Sequence, residues 1–86
     1  SISAARALLR QGDSSKEVIK ILAEGLEAEN EWTRLQTALV LDDFETALKQ
    51  LVPAAKKSIK QDYNKYVVRV LNRGLNKLYG TSNTVK

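Results

Sequence analysis

The chain has 86 residues, 43% of them hydrophobic, with 14 Lys or Arg against 10 Asp or Glu; this is room for one core and no second domain. It contains no Cys and no His, which excludes disulfides, Cys/His zinc sites, Ser/His or Cys/His nucleophile pairs and imidazole switches. No apolar run nears the ~18 residues of a membrane span, and no signal peptide is visible: Ser1-Ile2-Ser3-Ala4 leads straight into a helical pattern, as expected of a processed or excised piece of a longer protein.

The first helix is expected from Ile2 to Gln11, with Ile2, Ala5, Leu8 and Leu9 on one face and Gly12 as its stop. Asp13-Ser14-Ser15 then offers a start signal, and Ser14 with Glu17 three residues later reads as a capping box. The second helix follows from Ser15 to Ala28 with Val18, Ile21, Leu22, Gly25 and Leu26 as its stripe. Glycine weakens a helix by about 1 kcal/mol relative to alanine, so Gly25 implies a close helix crossing. Asn30 caps a third helix, Glu31 to Asp43, whose apolar face is Trp32, Leu35, Ala38, Leu39 and Leu41. The fourth runs from Thr46 to Gln61 with Leu48, Leu51, Val52, Ala55 and Ile59 inward. Pro53 interrupts it, so this helix either starts later or bends. Asn64 caps the fifth, Lys65 to Tyr79, which buries Val67, Val70, Leu71, Leu75 and Leu78 and stops at Gly80. Residues 81–86 have no apolar periodicity and are expected to fray.

The pattern repeats. Asn30-Glu31-Trp32 and Asn64-Lys65-Tyr66 open two helices about 34 residues apart, and Val18-Ile19, Leu22 and Leu26 are echoed by Leu51-Val52, Ala55 and Ile59. The expected fold is therefore all-α: residues 1–80 form one domain of about five helices and about two and a half repeats, each helix needing its neighbour to bury its stripe.

Trp32-Thr33-Arg34-Leu35-Gln36-Thr37-Ala38-Leu39, with an aromatic beside an Arg and small residues where helices cross, resembles the first helix of a HEAT repeat. Leu51-Val52-Pro53-Ala54-Ala55 is similar to the second helix, with proline in its early turns; in the last half repeat Asn72 and Arg73 stand where small apolar residues are common, which makes it atypical, as a terminal cap often is. The stretch from Asn64 to Val85, with Trp32-Thr33-Arg34-Leu35-Gln36, further resembles the C-terminal HEAT-like tail of bacterial sulfatases, the arylsulfatase and N-sulfoglucosamine sulfohydrolase-like enzymes. The resemblance implies a right-handed α-α superhelix, a parent exported to periplasm or cell surface, and a catalytic domain upstream. It brings no chemistry to these residues. The family's Cys/Ser-x-Pro-x-Arg motif has no counterpart, since the only proline, Pro53, follows Leu51-Val52, and its calcium-binding Asp and Asn cannot be mapped. No catalytic, cofactor or metal residue is assigned.

Charge divides the chain. Residues 1–43 carry eight carboxylates against five cations, and the remainder nine cations against Glu45 and Asp62. Arg69, Arg73 and Lys77 recur every four residues and with Lys65 form a ridge on one helix face, suited to phosphate or glycan sulfate, or simply solvated or docked on an acidic neighbour. Tyr63, Tyr66 and Tyr79 follow no base-stacking track, which argues against nucleic acid. Trp32 and Tyr66 occupy matching repeat positions as packing aromatics or a contact surface. Asp42 and Asp43 point about 100° apart and read as helix-end polar groups, with a divalent-cation site as the lesser alternative. The expected function is a non-catalytic repeat module contacting its parent's catalytic domain or another protein; a free-standing adaptor and a polyanion binder are the alternatives.

Overall fold

Two asparagines start the two longest helices in the same way. Asn30 Oδ1 accepts from the backbone N–H of Trp32 at 2.8 Å and of Thr33 at 3.3 Å. Asn64 Oδ1 accepts from Tyr66 at 2.9 Å and Val67 at 3.3 Å. Each cap satisfies donors that the first helical turn leaves without partners. In a computed structural model, which describes residues 1–84, the chain folds into α1 (Ile2–Arg10), α2 (Lys16–Leu26), α3 (Glu31–Asp43), α4 (Glu45–Gln50), α5 (Val52–Gln61) and α6 (Lys65–Tyr79). The fold is all-α, with no strand among the described residues.

Six helices replace the five read from the sequence, because the fourth is two. Leu51 (φ −125°, ψ 22°) separates α4 from α5. Proline has no N–H and its ring collides with the carbonyl four residues back, so an uninterrupted helix through Pro53 is costly. The chain closes α4 with Leu51 N–H to Leu48 O at 2.9 Å and opens α5 with Ala55 N–H to Leu51 O at 2.8 Å. Pro53 thereby falls in the first turn of α5, where no intrahelical donor is needed.

Other ends differ for local reasons. The capping box of Ser14 and Glu17 does not form: Ser15 is the N-cap of α2, and Asp13 Oδ1 accepts its N–H at 2.9 Å. At the end of α1, Gly12 adopts φ 85°, so that its N–H reaches Leu9 O and Asp13 N–H reaches Leu8 O, both at 2.9 Å. This pair of bonds is a Schellman turn, and left-handed backbone is what makes glycine the fitting residue. On α3 the inward face is rotated from the expected one. Val40 is buried rather than Leu39, and Arg34 and Thr37 lie inside, because α3 packs against both α2 and α6.

The helices form two layers. α3 lies against α6 in the most extensive helix contact, and α2 packs on both α3 and α5. α3 and α6 run parallel: at their starts Asn64 Nδ2 donates to Glu31 Oε1 at 3.0 Å, and towards their ends Arg73 and Lys77 meet Asp42. The hairpins α2–α3 and α5–α6, joined by short turns, thus stack side by side with α1 against α2 and α3. Leu22, Leu41, Leu48 and Leu71 are the largest fully buried side chains of the one core between the layers.

Gly25 is buried where α2 crosses α3. A Cβ there would collide with Thr37 Oγ1 and stand 2.8 Å from Ile2 Cδ1. Thr37 has no exposed surface, and its hydroxyl donates to Thr33 O at 2.8 Å, so it has little room to turn away. Overpacking of this kind costs ~1–3 kcal/mol, against ~1 kcal/mol gained from alanine's helix propensity. Gly25→Ala is expected to destabilise the domain by about 1 kcal/mol, read from a lowered urea midpoint at unchanged slope.

Candidate functional site

The outward side of α6 carries the residues in which charge suggested a ligand, and the structure divides them. Arg73 reaches across to α3, with Nη2 2.6 Å and Nε 3.0 Å from Asp42 Oδ2. Lys77 Nζ lies 2.7 Å from Asp42 Oδ1 and donates to the Asp42 carbonyl at 3.0 Å. The Asp42 side chain is only 5% exposed. It is the anchor for two of the four ridge cations rather than half of a carboxylate pair, and Asp43 beside it faces Arg6 at 3.3 Å. Lys65 Nζ sits 5.4 Å from the ring centre of Tyr66. Arg69 alone of the four has neither a carboxylate nor an aromatic ring as partner among the described residues. The ridge is real as a row on one helix, but its C-terminal half belongs to the α3–α6 contact.

Burial pushes the Asp42 carboxyl up, and the hydrogen bonds from Arg73 and Lys77 outweigh it, leaving the group below its ordinary 3.8. A carboxyl depressed on folding contributes stability above its unfolded pKa and loses it as pH falls through the folded one. Acidification below about pH 4 is therefore expected to weaken the α3–α6 contact, and Asp42→Asn should be less stable near neutrality yet lose less on acidification. Thermal midpoints of both proteins between about pH 6 and pH 2 measure this; parallel curves would contradict it.

The segment after α6, expected to fray, is hydrogen-bonded back onto α6 in its described part. Asn72 Nδ2 and Asn76 Nδ2 donate to Asn83 O at 2.8 and 2.7 Å, and Asn76 Oδ1 accepts from Thr81 Oγ1 at 2.8 Å and Asn83 N–H at 3.1 Å. Val85 and Lys86 lie outside the described residues. Polar anchoring of this kind leaves no apolar periodicity to read. The only trace in the sequence is two asparagines four apart on one face.

The densest polar cluster centres on Arg34, which in the sequence stands only as part of the Trp32–Leu39 motif. Arg34, 8% exposed, projects from α3 into the junction of two turns. Its Nε is 2.8 Å from Asp62 Oδ2, its Nη2 3.4 Å from Asp62 Oδ1, and its Nη1 donates to the carbonyls of Ala28 at 2.8 Å and Glu29 at 2.9 Å. The guanidinium also lies 5.3 Å from the centre of the Tyr63 ring. Asp62 Oδ1 accepts the N–H of Asn64 at 2.9 Å. One side chain thus ties the turn after α2, the body of α3 and the turn before α6. The hydrogen bond to Asp62 raises the Arg34 pKa still further, so its charge is permanent.

Trp32 and Tyr66 are not core packing elements: they are 65% and 55% exposed. Both occupy the second residue of their helices, at the rim where α3 and α6 begin, and Tyr63 in the neighbouring turn is 78% exposed. Trp32, Tyr63, Leu35, Glu29, Glu31 and Asn64 line a broad, open cleft of about 560 Å3. No group of three or more carboxylates suited to a metal ion occurs among the described residues, and no helix is long and apolar enough to cross a membrane. Compared with protein-family models, curated proteins and solved structures, the chain matches none.

Proposed function

We propose that this chain is a non-catalytic helical-repeat module that acts through its surface, as part of a larger protein. The observation that carries this reading is the stacking of α6 parallel to α3 with the same asparagine cap on each, about one 34-residue period apart. A unit that copies itself and binds the copy side by side is built to extend a surface. The polar groups inside it are engaged with one another: Arg34 with Asp62 and two carbonyls, Asp42 with Arg73 and Lys77. That arrangement serves packing and leaves no activated nucleophile or base among them.

HEAT-like is the repeat type we propose, on the residue pattern from Trp32 to Leu39 and the early-helix Pro53. The parent we propose is a bacterial glycan sulfatase, exported to periplasm or cell surface, on the residue likeness running from Asn64 to Val85. The intact mass of the native polypeptide, with peptide sequencing of whatever precedes Ser1, tests both parts of this. A much larger chain carrying Cys/Ser-x-Pro-x-Arg supports the reading; a native chain beginning near Ser1 removes it and leaves an independent adaptor. Binding of sulfated glycan or nucleic acid is weakened as an alternative because Arg73 and Lys77 already face a carboxylate.

A further inference from the structure

Ion pairing within the domain is selective. Asp42, Asp43, Glu27, Glu45 and Asp62 each face a cation of the chain. Asp13, Glu17, Glu24, Glu29 and Glu31 have no cation partner among the described residues, and the last three line the clefts on either side of Trp32. On one side lies the space between Trp32 and Tyr63, edged by Glu29 and Glu31. On the other is a cleft of about 460 Å3 with Glu24 and the aliphatic wall of Ile2 and Ile21. Beside the cleft of Trp32 and Tyr63, Arg34 is buried on Asp62 and Lys65 lies over Tyr66; Ser1 lines the other cleft with Glu24.

We propose that this rim is a binding site for a partner protein segment carrying lysine or arginine, whose cationic side chains enter the clefts beside Trp32. Aromatic faces attract a cation through their quadrupole, apolar walls accept its methylene stem, and a nearby carboxylate receives its charged head. The rim supplies all three within one small area. Its shape is set in advance, because Arg34 fastens the turn bearing Glu29 to Asp62, next to Tyr63. A site that does not have to order itself loses less on binding. The unbalanced charge decides the kind of partner: a carboxylate-rich or phosphorylated segment would meet three like charges here, and a cationic one meets its complement. This deepens the reading of the chain as a contact module and does not depend on which enzyme the parent is.

Trp32 is the only tryptophan, so its emission reports this site alone. The test is titration of the full chain with N-acetylated, C-amidated hexalysine. Hexaglutamate amide and a neutral disaccharide are run in parallel, and self-association is followed by sedimentation over the same concentrations. Saturable change in Trp32 emission with hexalysine alone, weakening as salt rises, is expected. Glu29→Gln with Glu31→Gln should weaken it at least tenfold. These side chains are exposed, and glutamine keeps the oxygen that accepts from Asn64. Glu24→Gln should weaken it less, and Glu17→Gln, on the first turn of α2, not at all. Silence towards hexalysine, an equal response to the disaccharide, or a response indifferent to Glu29 and Glu31 would each overturn the proposal. Emission changes that track self-association without any peptide would overturn it in favour of a second copy as the occupant. The mass measurement on the native polypeptide is independent of every one of these outcomes.

Discussion

Arg34→Ala is expected to cost about 3–5 kcal/mol of unfolding free energy, the largest loss from any single substitution away from the apolar core. The pair is inside the protein, with side-chain exposures of 10% for Arg34 and 4% for Asp62. Removing the guanidinium leaves a buried carboxylate with only the N–H of Asn64, and strips a donor from the carbonyls of Ala28 and Glu29. An uncompensated buried charge, rather than the lost attraction, makes up most of the cost. The double variant Arg34→Met with Asp62→Leu separates the two, since it removes both charges and keeps volume. It should recover most of the loss, because a buried ion pair replaced by apolar groups is often neutral or better. Urea unfolding of the two variants beside the parent protein measures this. A double variant as unstable as Arg34→Ala would show that the bonds to Ala28 and Glu29 matter more than the charge.

Leu71→Ala should cost about 2–5 kcal/mol, the range for deleting a fully buried leucine. Leu71 is 1% exposed and lies with Val67, Gly74 and Leu75 on the face that α6 buries. That face meets α3, α4 and α5, so a cavity there loosens three contacts at once. Gly74 limits the repair. Its α-carbon side already approaches Leu48 Cδ2 and the backbone of Asp42, and helices this close cannot slide inward to fill the gap. Circular dichroism on heating and in urea should show one lowered transition. Two separate transitions would mean that α6 detaches alone, against the expected cooperativity of a domain this small.

Helix positions were legible because capping and apolar spacing are local. Asn30 and Asn64 each announce a helix that begins at the next residue, Gly12 and Gly80 each end one with positive φ, and Gly25 marks a close crossing. Pro53 was legible as a disturbance, but its outcome depends on where Leu51 can leave the helix, which no single residue declares. The ridge was found as a row, yet its charge state was not, because Asp42 lies 31 residues from Arg73 in sequence. The repeat itself held the missing signal. If residues one period of about 34 apart are neighbours, Asp42 stands opposite a position between Arg73 and Lys77. The same rule sets Asp62 beside Ala28, whose carbonyl Arg34 also holds. Trp32 misled because an aromatic at helical spacing usually enters the core. Its place in the first turn, at the rim, puts it beyond the reach of the layer behind.

The tether from Asn72 and Asn76 to Asn83 has a consequence for assembly. Open repeat stacks present a raw edge at each end, and an edge that resembles the internal junction invites one molecule to add to the next without limit. On α6 that edge is clothed in lysine, arginine and asparagine with a stretch of backbone laid across it. Another hairpin arriving there would have to strip water from those groups and displace the strap before touching anything apolar. A further layer on the α6 side therefore has charged and amide groups and the strap to displace first, which the side of α1 and α2 does not impose through any such tether.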